Sequence, residues 1–170
     1  MRTFLTILIL FFTFQTWAKA DDIRDFEIEN MSLYDSALNY FSKKKIKNSE
    51  EDYYKDKKYT TATITSPEFK TYQQVQITYK YNDKKFILLD INGIVDKNYQ
   101  ECLEEIKKIS KDFTNLFPNT IKSDLATFPH WQDKSGKSKV TDVIWKFDNG
   151  DVIVLACYNW NTAFGKKNRY

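Results

Sequence analysis

Apolar residues recur along the chain with two different periods, and the longer period predicts one long helix. Between residues 98 and 117 they recur every three or four positions, as they do on the buried side of an amphipathic helix. Asn98 is placed to cap the start of this helix, and Pro118 is placed to end it. The apolar stripe consists of Tyr99, Cys102, Leu103, Ile106, Ile109, Phe113, Leu116 and Phe117.

The shorter period, alternation of apolar and polar residues, predicts about five strands. Three precede the helix, at 59–65, 72–81 and 86–95, and the continuous apolar character of the third predicts a central strand. After the helix, the runs 143–147 and 152–160 flank the turn sequence Asp-Asn-Gly-Asp, which predicts a β-hairpin. A mixed or antiparallel sheet covered on one face by the long helix is the expected arrangement.

The segments outside these elements are predominantly polar. Apolar residues at helical spacing predict a short N-terminal helix over 33–42, with Ser32 as its cap. Residues 42–58 alternate lysines with acids and predict a charged loop, and residues 161–170 predict a frayed tail. Together these elements predict an α+β fold class.

The first twenty residues have the three parts of a secretory signal peptide. Arg2 is followed by an apolar run and then by Ala18, Lys19 and Ala20, which form a cleavage site with small residues at its two recognised positions. Cleavage near Ala20 leaves about 150 residues, a usual size for a single domain. We therefore expect a periplasmic or secreted domain over residues 21–170, without an integral membrane segment.

Charge and composition limit the classes of partner. The formal net charge of the whole chain is +3, and the signal peptide contributes two of the positive residues, Arg2 and Lys19. A nearly neutral mature chain lacks the basic surface that nucleic acid requires, so we expect no nucleic-acid partner. No sequence motif points to a bound cofactor.

The chain has two cysteines, Cys102 and Cys157. An even pair in an oxidising compartment predicts a disulfide, with two separate buried thiols as the alternative. Cys102 lies in the apolar stripe of the helix, and Cys157 follows Ile153 and Leu155 on one face of the last strand. A bridge between these positions is compatible with a helix packed on that face.

Motifs that would carry catalysis or metal binding are incomplete. The Gly-Lys-Ser at 136–138 lacks the preceding glycine of a phosphate-binding loop, because Trp131 stands at that position. His130 is the single histidine, too few for a histidine-based metal site, so we expect no metal site. Asp90 interrupts the most apolar strand, where a carboxylate serves either catalysis or the capping of a neighbouring loop. We assign no catalytic residue.

Aromatic side chains form the one candidate binding site. Trp131, Trp145, Tyr158 and Trp160 are interspersed with asparagines near the C-terminal end of the chain. Aromatic rings beside amide groups suit stacking on a sugar or contact with a protein partner, whereas the alternative is ordinary core and edge packing.

Several segments resemble small exported proteins of unknown function from marine alphaproteobacteria. The resemblance lies in residues 25–32, in Asp35-Ser36, in Tyr40-Phe41, in residues 133–138 and in Cys157-Tyr158. It implies export and a single domain. It carries no defined activity, and no site residue is transferred from it.

The function expected from sequence is therefore a broad one. A non-enzymatic periplasmic protein that binds an envelope protein or glycan is the first hypothesis. A small exported hydrolase or thiol-dependent enzyme is the first alternative, and a carbohydrate-binding module is the second.

Overall fold

The computed structural model describes residues 22–161 as two antiparallel sheets and one long helix. The predicted signal peptide and almost all of the predicted frayed tail lie outside the described residues. In chain order the elements are two 3-10 turns (Ile23–Asp25, Ala37–Asn39), α1 (Lys43–Asn48), β1 (Glu50–Glu51), β2 (Tyr59–Ile64), β3 (Gln74–Lys80), β4 (Asp90–Ile94), α2 (Tyr99–Leu116), β5 (Ile121–Lys122), β6 (Ala126–Pro129), β7 (Lys139–Lys146) and β8 (Val152–Asn159).

Sheet 1 consists of β1, β2, β3 and β4 in that order, all antiparallel. The predicted alternation along β3 is confirmed, because Val75, Ile77 and Tyr79 are all buried on one face. Irregular segments rather than a long helix cover this face. The first core combines strand residues with these segments, and its members are Met31, Ala37, Ile46, Ala62, Ile64, Val75, Ile77, Tyr79, Phe86 and Leu88.

Sheet 2 is organised around β7. Strand β8 pairs with β7 along its whole length, from Lys139 opposite Asn159 to Lys146 opposite Val152, as the hairpin prediction requires. On its other side β7 pairs with β5 near one end and with β6 near the other. Helix α2 covers one face, and the second core consists of Ile23, Ile106, Phe117, Val143, Trp145, Phe147, Ile153 and Cys157.

Helix α2 begins and ends within one residue of the predicted bounds. The side chain of Asn98 accepts a hydrogen bond from the Glu101 amide at 3.0 Å, so the predicted cap is confirmed. Cys102 and Cys157 form a disulfide that joins α2 to β8, with their Cα atoms 5.8 Å apart. The bridge fixes the helix on the face of sheet 2 that also carries Trp145.

The α+β class, the antiparallel pairing and the long helix are confirmed, but the strands divide between two sheets. The apolar run 86–95 explains the division. Its first half does not enter a sheet, because Phe86 and Leu88 exchange backbone hydrogen bonds with the N-terminal residues Tyr34, Asp35 and Ala37. Only the second half forms a strand, and this strand, β4, lies at the edge of sheet 1.

The short N-terminal helix is displaced from the predicted 33–42. Tyr34 has a φ of 71°, outside the helical region, so the segment forms only the 3-10 turn capped by Ser36. The six-residue helix α1 lies instead within the predicted charged loop, where Ser42 caps it. Ile46, the single aliphatic residue of that loop, is fully buried and fixes α1 on the first core.

The N-terminal segment contacts both halves of the molecule. Ile28 and Met31 pack with the first core, whereas Ile23 and Phe26 pack with the second. The ring of Phe26 lies 5.2 Å from that of Phe113 on α2, edge to face. This segment therefore connects two cores that share no strand.

None of the helices described between residues 22 and 161 is long and apolar enough to span a membrane.

Candidate binding site

The structure brings together three of the four aromatic residues singled out from the sequence. Trp131, Tyr158 and Trp160 are exposed by 75%, 48% and 44% respectively, near the end of β8 and the loop after β6. Trp145 is fully buried and is not part of this surface. The pleat of β7 directs it to the α2 side of sheet 2, where its ring lies 5.5 Å from that of Phe113.

Tyr158 and Trp160 present parallel rings. They are two positions apart at the end of β8, so both side chains leave the same face of sheet 2. Their ring centroids are 5.2 Å apart with an angle of 7° between the planes. Flat rings held parallel and half exposed offer apolar area to a ligand while losing little side-chain entropy.

His130 lies at the centre of the cluster, a residue that sequence analysis did not assign to it. Its side chain is 8% exposed, and its ring lies 4.6 Å from that of Trp160 and 5.9 Å from that of Tyr158. The ring of Trp131 stacks on that of His130 at 6.2 Å. We call His130, Trp131, Tyr158 and Trp160 the aromatic surface.

The Asp133 carboxylate orders the loop that carries His130 and Trp131. One carboxylate oxygen accepts hydrogen bonds from the Ser135 amide and hydroxyl, at 3.0 and 2.7 Å. The other accepts from the Ser138 amide and hydroxyl, at 2.8 and 2.6 Å. These hydrogen bonds hold the pKa of Asp133 well below its usual range. The Gly-Lys-Ser segment thus belongs to a carboxylate-centred turn.

The same loop is tied to β7 and to the end of β8. The His130 amide donates to the Ser138 carbonyl at 2.8 Å, which extends the β6–β7 ladder by one pair. The Ser138 hydroxyl also accepts from the Asn161 amide at 3.0 Å. Ser138 therefore positions both halves of the aromatic surface relative to each other.

The titratable groups of the aromatic surface favour their neutral forms at neutral pH. Burial lowers the pKa of His130, and the nearby charge of Asp133 opposes this only in part. The Gln132 amide donates to His130 Nδ1 at 3.3 Å, which leaves Nε2 to carry the proton of the neutral ring. Burial, followed by the charges of Tyr53, Asp142 and Asp90, raises the pKa of Tyr158. A neutral aromatic surface suits uncharged ligands.

Polar amide side chains lie next to these rings in sequence and on the surface. Gln132 follows Trp131, and Asn159 and Asn161 flank Trp160. Asn159 is exposed, whereas Gln132 and Asn161 are half-buried. Such groups supply hydrogen-bond donors and acceptors at the rim of an apolar platform.

The residues considered for catalysis have structural partners. Asp90 starts β4, where it accepts hydrogen bonds from the Thr78 hydroxyl at 3.2 Å and the Asn92 side chain at 2.8 Å. Desolvation raises its pKa in spite of these bonds. The disulfide holds both sulfurs, so the chain has no free thiol while the bridge is intact. His130 therefore has no thiol partner with which to form a nucleophile.

A concavity of about 270 Å³ lies at the β1 end of sheet 1. It is open to solvent, and its walls combine carboxylates with tyrosine rings. Among residues 22–161 no group of histidine, cysteine, aspartate or glutamate side chains is arranged to hold a metal ion. The lining residues are Glu50, Glu51, Asp52, Tyr54, Lys57, Tyr59, Thr60 and Tyr81.

Sequence reasoning missed His130, Phe128 and Asp133 as parts of the candidate site. Phe128 is 45% exposed and shares a row of sheet 2 with Val140 and Tyr158. The signal present in the sequence was the Phe-Pro-His-Trp run before the turn, which resembles a short strand followed by a turn. Its placement beside Tyr158 depends on pairing through β7, which a local pattern does not specify.

Comparison of the chain with protein-family models, with curated proteins and with solved structures finds no match. The functional proposal therefore rests on the residues and distances given above.

Proposed function

We propose that this chain is an exported, non-enzymatic binding protein that holds a glycan of the cell envelope on the aromatic surface. The observation that carries the proposal is the set of half-exposed, ordered rings at the end of β8, above all the parallel pair of Tyr158 and Trp160. Sugar rings have an apolar face of C–H groups that stacks on such rings, and their hydroxyls bond to amides of the kind found beside Trp160.

Two further features support a binding role outside the cytoplasm. The disulfide is of the kind that forms and persists in oxidising compartments, in agreement with the signal peptide expected from the first twenty residues. The aromatic surface is pre-organised by the Asp133 turn, which reduces the entropy lost when a ligand binds. Periplasmic residence and cleavage near Ala20 remain part of the proposal.

Titration with soluble peptidoglycan fragments and N-acetylglucosamine oligomers tests the proposal. Trp131 and Trp160 are exposed, so their fluorescence is expected to shift on binding, whereas buried Trp145 contributes a constant signal. Trp131→Ala and Tyr158→Ala are expected to weaken binding by about tenfold or more, the effect of losing 1–2 kcal/mol of stacking.

The matched control is Tyr81→Ala, which removes an equally exposed tyrosine, 46% against 48% for Tyr158, from the turn after β3. Binding by this variant should equal that of the wild type. Glycan affinity that is absent from the wild type, or equal in all three variants, would contradict a glycan-binding aromatic surface.

A further inference from the structure

The free edge of sheet 2 differs from the other sheet edges in the described part of the chain. Sheet 1 ends in β1, which is only the pair Glu50–Glu51, and in the five-residue β4, which contains Asp90 and Gly93. The far side of β7 is paired with two short strands. Shortness, charge and interruption are the usual means by which proteins prevent strand-to-strand association. Strand β8 uses none of them, since its eight residues include no charged residue, proline or glycine.

Alternate peptide groups of β8 point away from β7. The Ile144 amide and carbonyl bond to Ser123, on the β5 side of β7, at 2.9 and 2.8 Å. The Phe147 amide instead donates to the Asp151 carbonyl, on the β8 side, at 2.9 Å. Because Ile144 is opposite Val154, the alternation of an antiparallel ladder directs four β8 residues outwards. These are Val152, Val154, Ala156 and Tyr158.

These outward peptide groups lack strand partners within residues 22–161. The disulfide sulfur of Cys102 lies 4.0 Å from the Ala156 carbonyl oxygen, and no other described group is bonded to them. The side chains of the same residues lie on the face opposite α2, where Val152, Val154 and Tyr158 are each close to half exposed. The edge therefore offers both unpaired backbone and apolar side chains.

We propose that β8 pairs with β8 of a second copy of this chain, antiparallel about a two-fold axis at Leu155. In this register all four outward residues form backbone hydrogen bonds, with Val152 opposite Tyr158 of the second copy and Val154 opposite its Ala156. Sheet 2 then continues across the dimer, and its edge strands become the central pair.

A second copy fits this edge better than an unrelated strand because the pairs are self-complementary. Tyrosine opposite valine is a favourable aromatic–β-branched cross-strand pair, valine opposite alanine fits without steric conflict, and with no charge on β8 no like charges meet. The same register places Trp160 opposite Gly150 of the second copy. The space that a Cβ would occupy at Gly150 has no atom within 4 Å, which leaves room for the indole ring.

The dimer would also place two aromatic surfaces on one face of the continuous sheet. The two copies of Tyr158 would be about 20 Å apart, six residues at the rise of a strand. Two sites at this spacing suit a repeating polymer. Dimerisation does not depend on glycan binding, and Trp131 lies outside the strand pair, so Trp131→Ala distinguishes loss of the ligand from loss of the dimer.

Sedimentation and amide exchange of the purified protein test the proposal together. With rising concentration the protein should sediment as a dimer. The amides of Val152, Val154, Ala156 and Tyr158 should become protected, whereas Ile153, Leu155 and Cys157 are protected at every concentration. A protein that stays monomeric, or a dimer without this alternating protection, would overturn the proposal. It would also be overturned if only an added foreign peptide protected these amides.

Substitutions at Val154 provide the matched variants. Val154→Pro removes an outward N–H without removing a β7–β8 hydrogen bond, and is expected to raise the dissociation constant of the dimer roughly tenfold or more. Val154→Thr keeps both the N–H and the shape and should stay within about threefold of the wild type. Val154→Lys places like charges on diagonal positions and should weaken the dimer even if the proline variant does not fold. Equal dimerisation by the threonine and lysine variants would overturn the proposal.

Discussion

The two halves of this molecule close their hydrophobic cores in different ways. Sheet 2 is covered by one regular helix, which a disulfide fixes in place. Sheet 1 is covered by short turns, by α1 and by the extended run through Phe86 and Leu88, with no covalent link. A helix satisfies its own backbone, whereas irregular segments must find a partner for each peptide group. The second half therefore needs few side chains or unusual backbone conformations to satisfy its peptide groups, whereas the first half needs many.

Backbone conformation shows this difference directly. Between residues 22 and 161, six residues other than glycine have a positive φ, and every one of them precedes residue 90, whereas the described part of the second half places glycine at its two such positions. The tight turns of the first half strain the backbone at these residues, and the turns allow side-chain contacts that a regular element would not form. The six residues are Glu29, Asn30, Tyr34, Lys57, Asn82 and Phe86.

Glu29 illustrates what such a conformation provides. With a φ of 50°, its side chain reaches the loop before β3, where the carboxylate accepts hydrogen bonds from the amides of Lys70, Thr71 and Tyr72 at 2.7 to 3.0 Å. These bonds lower the pKa of Glu29. One acidic side chain thus satisfies three backbone groups that a regular element would have paired internally.

The largest expected effect comes from truncating the centre of the second core. Trp145→Ala removes a fully buried indole that packs against Phe113 and should lower the free energy of unfolding by about 3–5 kcal/mol. If the halves are energetically separate, amide exchange in β7 and β8 will accelerate far more than in β2 and β3. Equal acceleration in both sheets would show that the cores unfold as one unit.

Removing the disulfide tests how much of the stability of the second half comes from its covalent link. The double variant Cys102→Ala with Cys157→Ala opens a loop of 55 residues and should cost roughly 4 kcal/mol on the loop-entropy model. Chemical denaturation followed by tryptophan fluorescence measures this loss, because all three described tryptophans lie in the second half. A loss below about 1 kcal/mol would mean that α2 is held by packing alone.

Two glycine substitutions compare the destabilisation caused by a steric clash with that caused by a strained backbone conformation. The Tyr72 ring lies where a Cβ of Gly93 would be, with Cε1 at 2.3 Å, so Gly93→Ala should cost about 1–3 kcal/mol by displacing the ring. Gly136 has open space around it and a φ of 68°, so Gly136→Ala should cost only the backbone penalty of about 1 kcal/mol. Thermal denaturation ranks the two, and the reverse order would contradict the steric explanation for Gly93.

Relief of strain in the first half should be measurable at an exposed position. Lys57 has a φ of 52° and an exposed side chain, so Lys57→Gly should stabilise the protein by about 0.5 kcal/mol, the strain relieved less the added unfolded-state entropy. Its control, Lys55→Gly, has no positive φ to relieve and should be destabilising by about 0.5–1 kcal/mol. Loss of stability in both variants would show that the backbone at position 57 is not strained.

The smallest effect is the titration of His130. Because burial lowers its folded-state pKa below the usual 6.5, the folded protein binds fewer protons than the unfolded chain as pH falls. The stability contributed by neutral His130 is complete above about pH 6.5 and declines as pH falls through its folded pKa. NMR of the single histidine ring measures this pKa, and Tyr158→Ala should move it towards 6.5. A wild-type value at or above 6.5 would refute the burial of His130.

The second half could be predicted from sequence far better than the first. Helix α2, its Asn98 cap and the β7–β8 hairpin follow from hydrophobic periodicity and local turn chemistry. The pairing of Cys102 with Cys157 was favoured by the even number of cysteines and is compatible with the same periodicity. The cover of sheet 1 did not follow from such patterns. Phe86 and Leu88 have the hydrophobicity of strand residues, but their bonds go to a segment some fifty positions earlier.

The candidate site shows the same limit. Tyr158 and Trp160 could be placed on one face because they are two residues apart on a strand. Trp145 was grouped with the candidate binding residues, with core packing as the alternative, although strand alternation places it opposite Ile153 and on the helix-covered face. His130 joins the rings through the hydrogen bonds of the Asp133 turn, and that turn depends on side-chain geometry rather than on hydrophobic period.

The bridging position of the N-terminal segment has a consequence for the order of events during synthesis. All strands of sheet 1 are made before α2, and all strands of sheet 2 after it. Phe26, however, requires Phe113, and the Tyr34 hydroxyl donates to Asp151, 117 residues later. Residues 22–34, which are made before either sheet, thus depend on partners that are made long after them. Until the final hairpin emerges, Ile23 and Phe26 remain apolar side chains without a core, available to chaperones that recognise incomplete chains.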